Sequence, residues 1–217
     1  MELPKHGNVS AIAVVVDINH FTKIVRDASE AVEGAIVAQF VRDVLSGGIS
    51  AIQDQGGEVV GFMGDAILGL LSDAQSFFLA AVTIARAVDR HCEWVSRHQQ
   101  EDSFAWSFAH GGASLKITAE YGSLNVSTIH SRLLGEQRLF IGDAVNYAAR
   151  IGAAGEGNRC LLGPQAAQLV TAAGYGLLGP YKVGGKCHEG EFEYYQLELG
   201  DIWREGGLEE GADTYWG

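Results

Sequence analysis

GGEVVGFMGDAILGLL, residues 56–71, reads as two short apolar runs joined at Met63-Gly64-Asp65. Gly-Asp between aliphatic runs is turn chemistry, so Glu58–Phe62 and Ala66–Leu71 form a β-hairpin with Asp65 at its tip. Upstream lies AIAVVVD (11–17), a short β-branched run that reads as a buried strand ending on Asp17. Between them, Val32, Ile36, Val37, Phe40, Val41, Val44 and Leu45 recur at helical spacing after Asp27-Ala-Ser-Glu30, a capping-box pattern with Asp27 as N-cap. Gly47-Gly48 interrupts or ends that helix. Ser72-Asp-Ala-Gln75 is a second capping box, and Phe78, Val82, Ala85, Val88 and Val95 carry a long helix to about 98. Two strands follow around the glycines of 104–129. The order strand–helix–hairpin–helix–strand is βαββαβ, so the expected fold is α+β with a ferredoxin-like core.

The C-terminal third adds to that core. A strand at 138–141 leads into a helix from Asp143. A strand (158–162), a helix (164–173) and two closing strands (176–183 and 191–199) complete it. No linker divides 10–199, which reads as one domain behind an N-terminal segment, 1–9. GDIWREGGLEEGADTYWG (200–217) reads as a mobile acidic tail.

Composition narrows the function. The chain has 217 residues, of which 47% are hydrophobic, enough for a full core. A net charge of −12 excludes a general nucleic-acid binder, which needs clustered Lys and Arg. It permits one nucleotide neutralised locally by metal ions. No signal peptide or membrane-length apolar run is visible, and Cys92, Cys160 and Cys187 are odd in number and far apart. Reduced thiols in a cytoplasmic protein are expected.

Taken singly, Asp17 and Asp65 are ordinary turn residues. Taken together they carry more. Strand one and the hairpin strand are neighbours in a βαββαβ sheet, so the carboxylates converge, and paired hard oxygens suit Mg²⁺ or Mn²⁺. Backbone N–H groups of Asn19, His20, Phe21 and Thr22, at a helix start, would face a triphosphate. In IGDAVNYAAR (141–150), Asn146 and Arg150 stand i, i+4 on one helix face. Lys116 and Glu120 read equally well as cleft or structural residues. His91, Cys92 and His98 have poor ligand spacing and read as surface residues.

Three segments together resemble the class III nucleotidyl cyclases. VVVDINHFTKI resembles their first metal segment, GGEVVGFMGDAILGLL their GG-x₆-GD segment, and IGDAVNYAARI their transition-state segment. The resemblance spans roughly 10–197. It implies two divalent ions held by Asp17, Asp65 and the Ile18 carbonyl, with Asn146 orienting the ribose and Arg150 steadying the α-phosphate. It implies that Lys186, in KVGGKC, binds the terminal phosphates, although Gly184 departs from the usual lysine. It also implies a homodimer with sites shared between protomers.

Two departures bear on the substrate. Purine cyclases of this family read the base with a side chain at the position of Gly61 and another at that of Leu139. Neither residue can offer a side-chain hydrogen bond, and a site without its polar partners loses discrimination. The pattern resembles the stand-alone pyrimidine cyclases of bacterial antiphage defence, and within them UTP is preferred to CTP by resemblance. A downstream effector that senses the cyclic nucleotide is implied with it. A cyclase using CTP, ATP or GTP and a non-catalytic nucleotide sensor are the alternatives.

Overall fold

A computed structural model describes residues 3–30, 34–62, 64–98, 114–133, 135–154, 159–185 and 189–197. β1 (Gly7–Ile18) is followed by α1 (Phe21–Glu30), α2 (Gly34–Asp54), the hairpin β2 (Glu58–Phe62) and β3 (Ala66–Leu71), and α3 (Ala74–His98). Then come β4 (Leu115–Ser131), β5 (Gly135–Ile141), α4 (Asp143–Ile151), β6 (Arg159–Leu162), α5 (Pro164–Ala172), β7 (Leu178–Gly184) and β8 (Glu191–Leu197). The strands form one sheet in the order β2-β3-β1-β4-β6-β8-β7, with β5 pairing β4. The first four places are those of a βαββαβ sheet, and the last three extend it past β4.

β1 is buried without alternation from Ala11 to Val16 because both its faces are covered. Ile12, Val14, Val16 and Ile18 join the larger core, with Phe40, Ile52, Ile67, Phe77, Ile84 and Ile117, beneath α1, α2, α3 and α5. Ala11, Ala13 and Val15 point the other way, with Leu68, Leu70 and Leu124, toward Ala144 and Ala148 of α4. Alternate side chains of one strand thus serve two cores. Three of the residues beneath α4 (Ala11, Ala13, Ala66) are alanines, which let a short helix lie close to the strands.

Local readings are corrected in several places. The first helix begins at Phe21, so Asp27 lies inside α1 rather than capping a helix. His20, with φ 56°, turns the chain directly after β1, and its carbonyl accepts the Ile24 N–H at 3.0 Å. α2 runs through Gly47-Gly48. A Cβ on Gly48 would stand 2.8 Å from Cδ1 of Ile67, so the glycine lets α2 lie close on β3 instead of ending it. Asp73, not Ser72, caps α3: its carboxylate accepts the Ser76 N–H at 2.9 Å, which holds its pKa below the ordinary range. Residues 115–131 form one strand, not two around a glycine turn. Gly122 pairs with Ala11 and permits α4 to approach, with Ala144 Cβ 3.1 Å from the place of its missing Cβ. Residues 104–113, part of that expectation, and the tail 200–217 lie outside the described residues.

His91 also differs from its reading as a surface residue. Its side chain is 8% exposed, lies 3.5 Å from Asp43 and meets the Phe40 ring edge-on at 5.0 Å. Cys92 and Cys160 are free thiols, and burial pushes Cys92 up to about 11. No helix among the described residues is long and apolar enough to cross a membrane.

Candidate active site

Sheet register brings the two aspartates together. Asp17, near the end of β1, pairs with Ala66 of β3, and Asp65 immediately precedes Ala66 after a turn in which Gly64 has φ 72°. On its other side Asp17 pairs with Lys116 of β4. Residues directly opposite in antiparallel strands project to one face, and Lys116 Nζ stands 3.8 Å from Asp17 Oδ2. The same ammonium donates to the Gly152 carbonyl at 2.7 Å, just past the end of α4. Lys116 therefore joins the aspartate pair to the helix carrying Asn146 and Arg150. Sequence spacing left its role open, because 99 positions separate it from Asp17.

The electrostatics of this corner favour cations. Burial pushes the Asp17 carboxyl above the ordinary range; Lys116 pulls it back and the Asp65 charge pushes it further up. Burial likewise raises Asp65, opposed by its own backbone N–H and by Lys116. Two partly desolvated carboxylates, of which Asp65 raises the proton affinity of Asp17, also favour a divalent cation, and Ile18 is the last residue of β1, next in the chain to Asp17. Among the described residues no group of three or more His, Cys, Asp or Glu gathers, so the donor set on the protein is small. Such a set fits a cation that takes its remaining ligands from phosphate and water.

The adjoining turn is tied to the residue before β4. Asn19 is 3% exposed; its backbone N–H donates to the Ser114 carbonyl at 3.0 Å and its Nδ2 to Ser114 Oγ at 3.1 Å. That backbone N–H is committed to Ser114, leaving His20, Phe21 and Thr22 to present the first N–H groups of α1. Phe21 is partly buried against the core, and Thr22 is exposed.

α4 carries Asn146, exposed, and Arg150, whose Nη2 donates to Glu189 Oε1 at 2.6 Å. Tyr147 faces β8: its hydroxyl donates to the Glu193 carbonyl at 2.9 Å and accepts the Glu193 N–H at 3.1 Å. Lys186 lies outside the described residues.

The bases of the two substrate readings are visible. A bulge between Val59 and Gly61 sets Gly61 opposite Leu68, on the face of the sheet that α4 covers, and no atom comes within 4 Å of an added Cβ there. Leu139 is exposed in β5. Beside them Arg138 donates to Glu58 at 2.7 Å, a polar pair that neither motif nor spacing indicated. Glu120, by contrast, is structural. It is 4% exposed, and Oε1 accepts the N–H groups of Tyr121 at 2.7 Å and Ala166 at 2.9 Å, capping α5 from the sheet.

Comparison with known proteins fits this geometry. The chain matches no family model and no curated protein. Among solved structures, the adenylyl cyclase CyaB from P. aeruginosa superposes with TM-score 0.71 at 15% identity, over 90% of this chain and 96% of that one. A guanylyl cyclase does so with TM-score 0.68 at 19% identity, over 89% and 93%. This is the class III nucleotidyl cyclase fold. A bacterial light-regulated adenylyl cyclase shares it, with TM-score 0.69 at 18% identity over 90% of this chain, which spans only 54% of that longer protein. At these identities the likeness is one of fold.

Proposed function

We propose that this chain is a nucleotidyl cyclase that converts UTP to 3′,5′-cyclic UMP and pyrophosphate. The observation that carries the reading is the Asp17–Ala66 register, which sets Asp65 beside Asp17 on a cyclase fold. The ribose 3′-oxygen attacks the α-phosphorus, the bond to the β-phosphate oxygen breaks, and pyrophosphate leaves while the hydroxyl proton passes to solvent. Two divalent ions, Mn²⁺ or Mg²⁺, held by Asp17, Asp65 and the Ile18 carbonyl, would neutralise the triphosphate and acidify that hydroxyl. Asn146 orients the ribose, and Arg150 binds charge developing at the α-phosphate. Lys186 binds the terminal phosphates. The first N–H groups of α1 add to phosphate binding.

The site is assigned to a homodimer, with the aspartates from one protomer and Asn146 and Arg150 from its partner. Support comes from Phe62, 64% exposed at the hairpin, an apolar surface that a second chain would cover. A pyrimidine is favoured because Gly61 and Leu139 leave the base without side-chain hydrogen bonds at two positions, and UTP is preferred to CTP by resemblance alone. A role in antiphage defence, with an effector that senses the product, follows the same resemblance. The second reading is a purine cyclase, favoured by the adenylyl and guanylyl cyclases of similar fold.

Incubating the purified chain with Mn²⁺ and each of ATP, GTP, CTP and UTP, with products identified by mass spectrometry, tests the assignment. Cyclic UMP as main product is expected. Cyclic AMP or cyclic GMP as main product would establish the second reading, and nucleotide binding without product would make the chain a sensor.

A further inference from the structure

Arg150 already holds an anion. Its guanidinium donates to the Glu189 carboxylate at 2.6 Å, with side chains 33% and 36% exposed. Glu189 belongs to the turn between β7 and β8, and that hairpin is fixed to α4 independently of the ion pair. Tyr147 bonds both the N–H and the carbonyl of Glu193, and its ring meets Phe192 edge-on at 5.1 Å. Ile151 packs in one small core with Leu161, beside Val183, Phe192 and Tyr194. The backbone carrying Glu189 is therefore held near Arg150 by packing.

A carboxylate and a phosphate present similar oxygen pairs to a guanidinium. An ion pair as exposed as this one is weak and exchanges readily. The opposite half of the site repeats the arrangement with inverted sign: Lys116 stands 3.8 Å from Asp17. Arg150 and Asp17 thus each have a counter-ion from within the chain.

We propose that Glu189 is a built-in competitor for Arg150, occupying the guanidinium until an anionic group of the triphosphate displaces it. Glu189 is then a residue that sets affinity, raising the triphosphate concentration at which the site fills. This rests on the reading of Arg150 as a phosphate-binding residue.

The test measures binding of inorganic tripolyphosphate, which has neither base nor ribose, by calorimetry on four full-length proteins: the parent, E189Q, R150A and R150A/E189Q. E189Q should bind about two- to fivefold more tightly than the parent, the range that one exposed ion pair supports. Adding E189Q to R150A should change nothing. Unchanged or weaker binding by E189Q would overturn the proposal, as would no binding to either protein. Equal strengthening in the R150A background would also overturn it, because loss of a negative charge anywhere nearby would then explain the effect. Failure of the cyclase reading, with no cyclic product from any triphosphate, leaves this comparison intact.

Discussion

At the scale of single residues, Asp65 has two opposed effects. Burial raises its pKa in the fold above the unfolded value, so the folded state binds that proton more tightly. Stability without metal therefore falls as pH rises from the unfolded carboxyl value through the folded one, and stays lower above it. Asp65→Asn removes the charge and keeps the shape. It should raise the metal-free Tm at pH 7, with a gain that shrinks as pH approaches 3, while abolishing cyclic-nucleotide formation. Thermal scans across pH check the first part; an unchanged or lower Tm at pH 7 would refute it. The parent should gain Tm on addition of Mn²⁺ and the variant much less. The aspartates were legible in the sequence because each ends an apolar run. Lys116 was not, because only the β1–β4 pairing brings it to Asp17.

At the scale of elements, glycine meaning was the hardest to read. Gly47-Gly48 and Gly122 have the composition of breaks, yet one pair lies inside a helix and the other residue inside a strand. Their role is close approach of a second element, which no local window contains. Glu120 is a similar case. Its carboxylate reaches from β4 to the first turn of α5, and a Cβ on Gly163 would collide with it. Glu120→Ala leaves the Ala166 N–H without that acceptor and should cost about 2 kcal/mol of stability. Glu120→Gln keeps an amide oxygen in place and should lose less. Denaturant unfolding of the two variants gives the ranking, and equal losses would mean that the charge, not the acceptor, matters.

At the scale of the whole molecule, the described helices cover the two faces of the sheet unequally. Among the described residues, four helices lie on one face and α4 alone on the other. The thin face carries Asp17, Lys116 and Gly61, and it is where a partner protomer would complete the site. Mixing equal amounts of Asp17→Ala and Arg150→Ala chains should recover about a quarter of parent activity, since half the dimers are mixed and each holds one intact site. Either variant alone should be inactive. Mixtures as dead as the separate variants would sink the shared-site arrangement.

The sequence by itself determined the βαββαβ order of the core, the hairpin and the aspartates beside its strands, because periodicity and turn chemistry act over a few residues. It also places at 61 and 139 a glycine and a leucine, which offer no side-chain hydrogen bond whatever surrounds them. Tertiary structure decided what those residues meet. The register of β1 between β3 and β4 set Asp17 against both Asp65 and Lys116. The docking of the β7–β8 hairpin on α4 brought Glu189 to Arg150. Both depend on long-range pairing, in which one residue's shift of a strand would send every side chain to the opposite face.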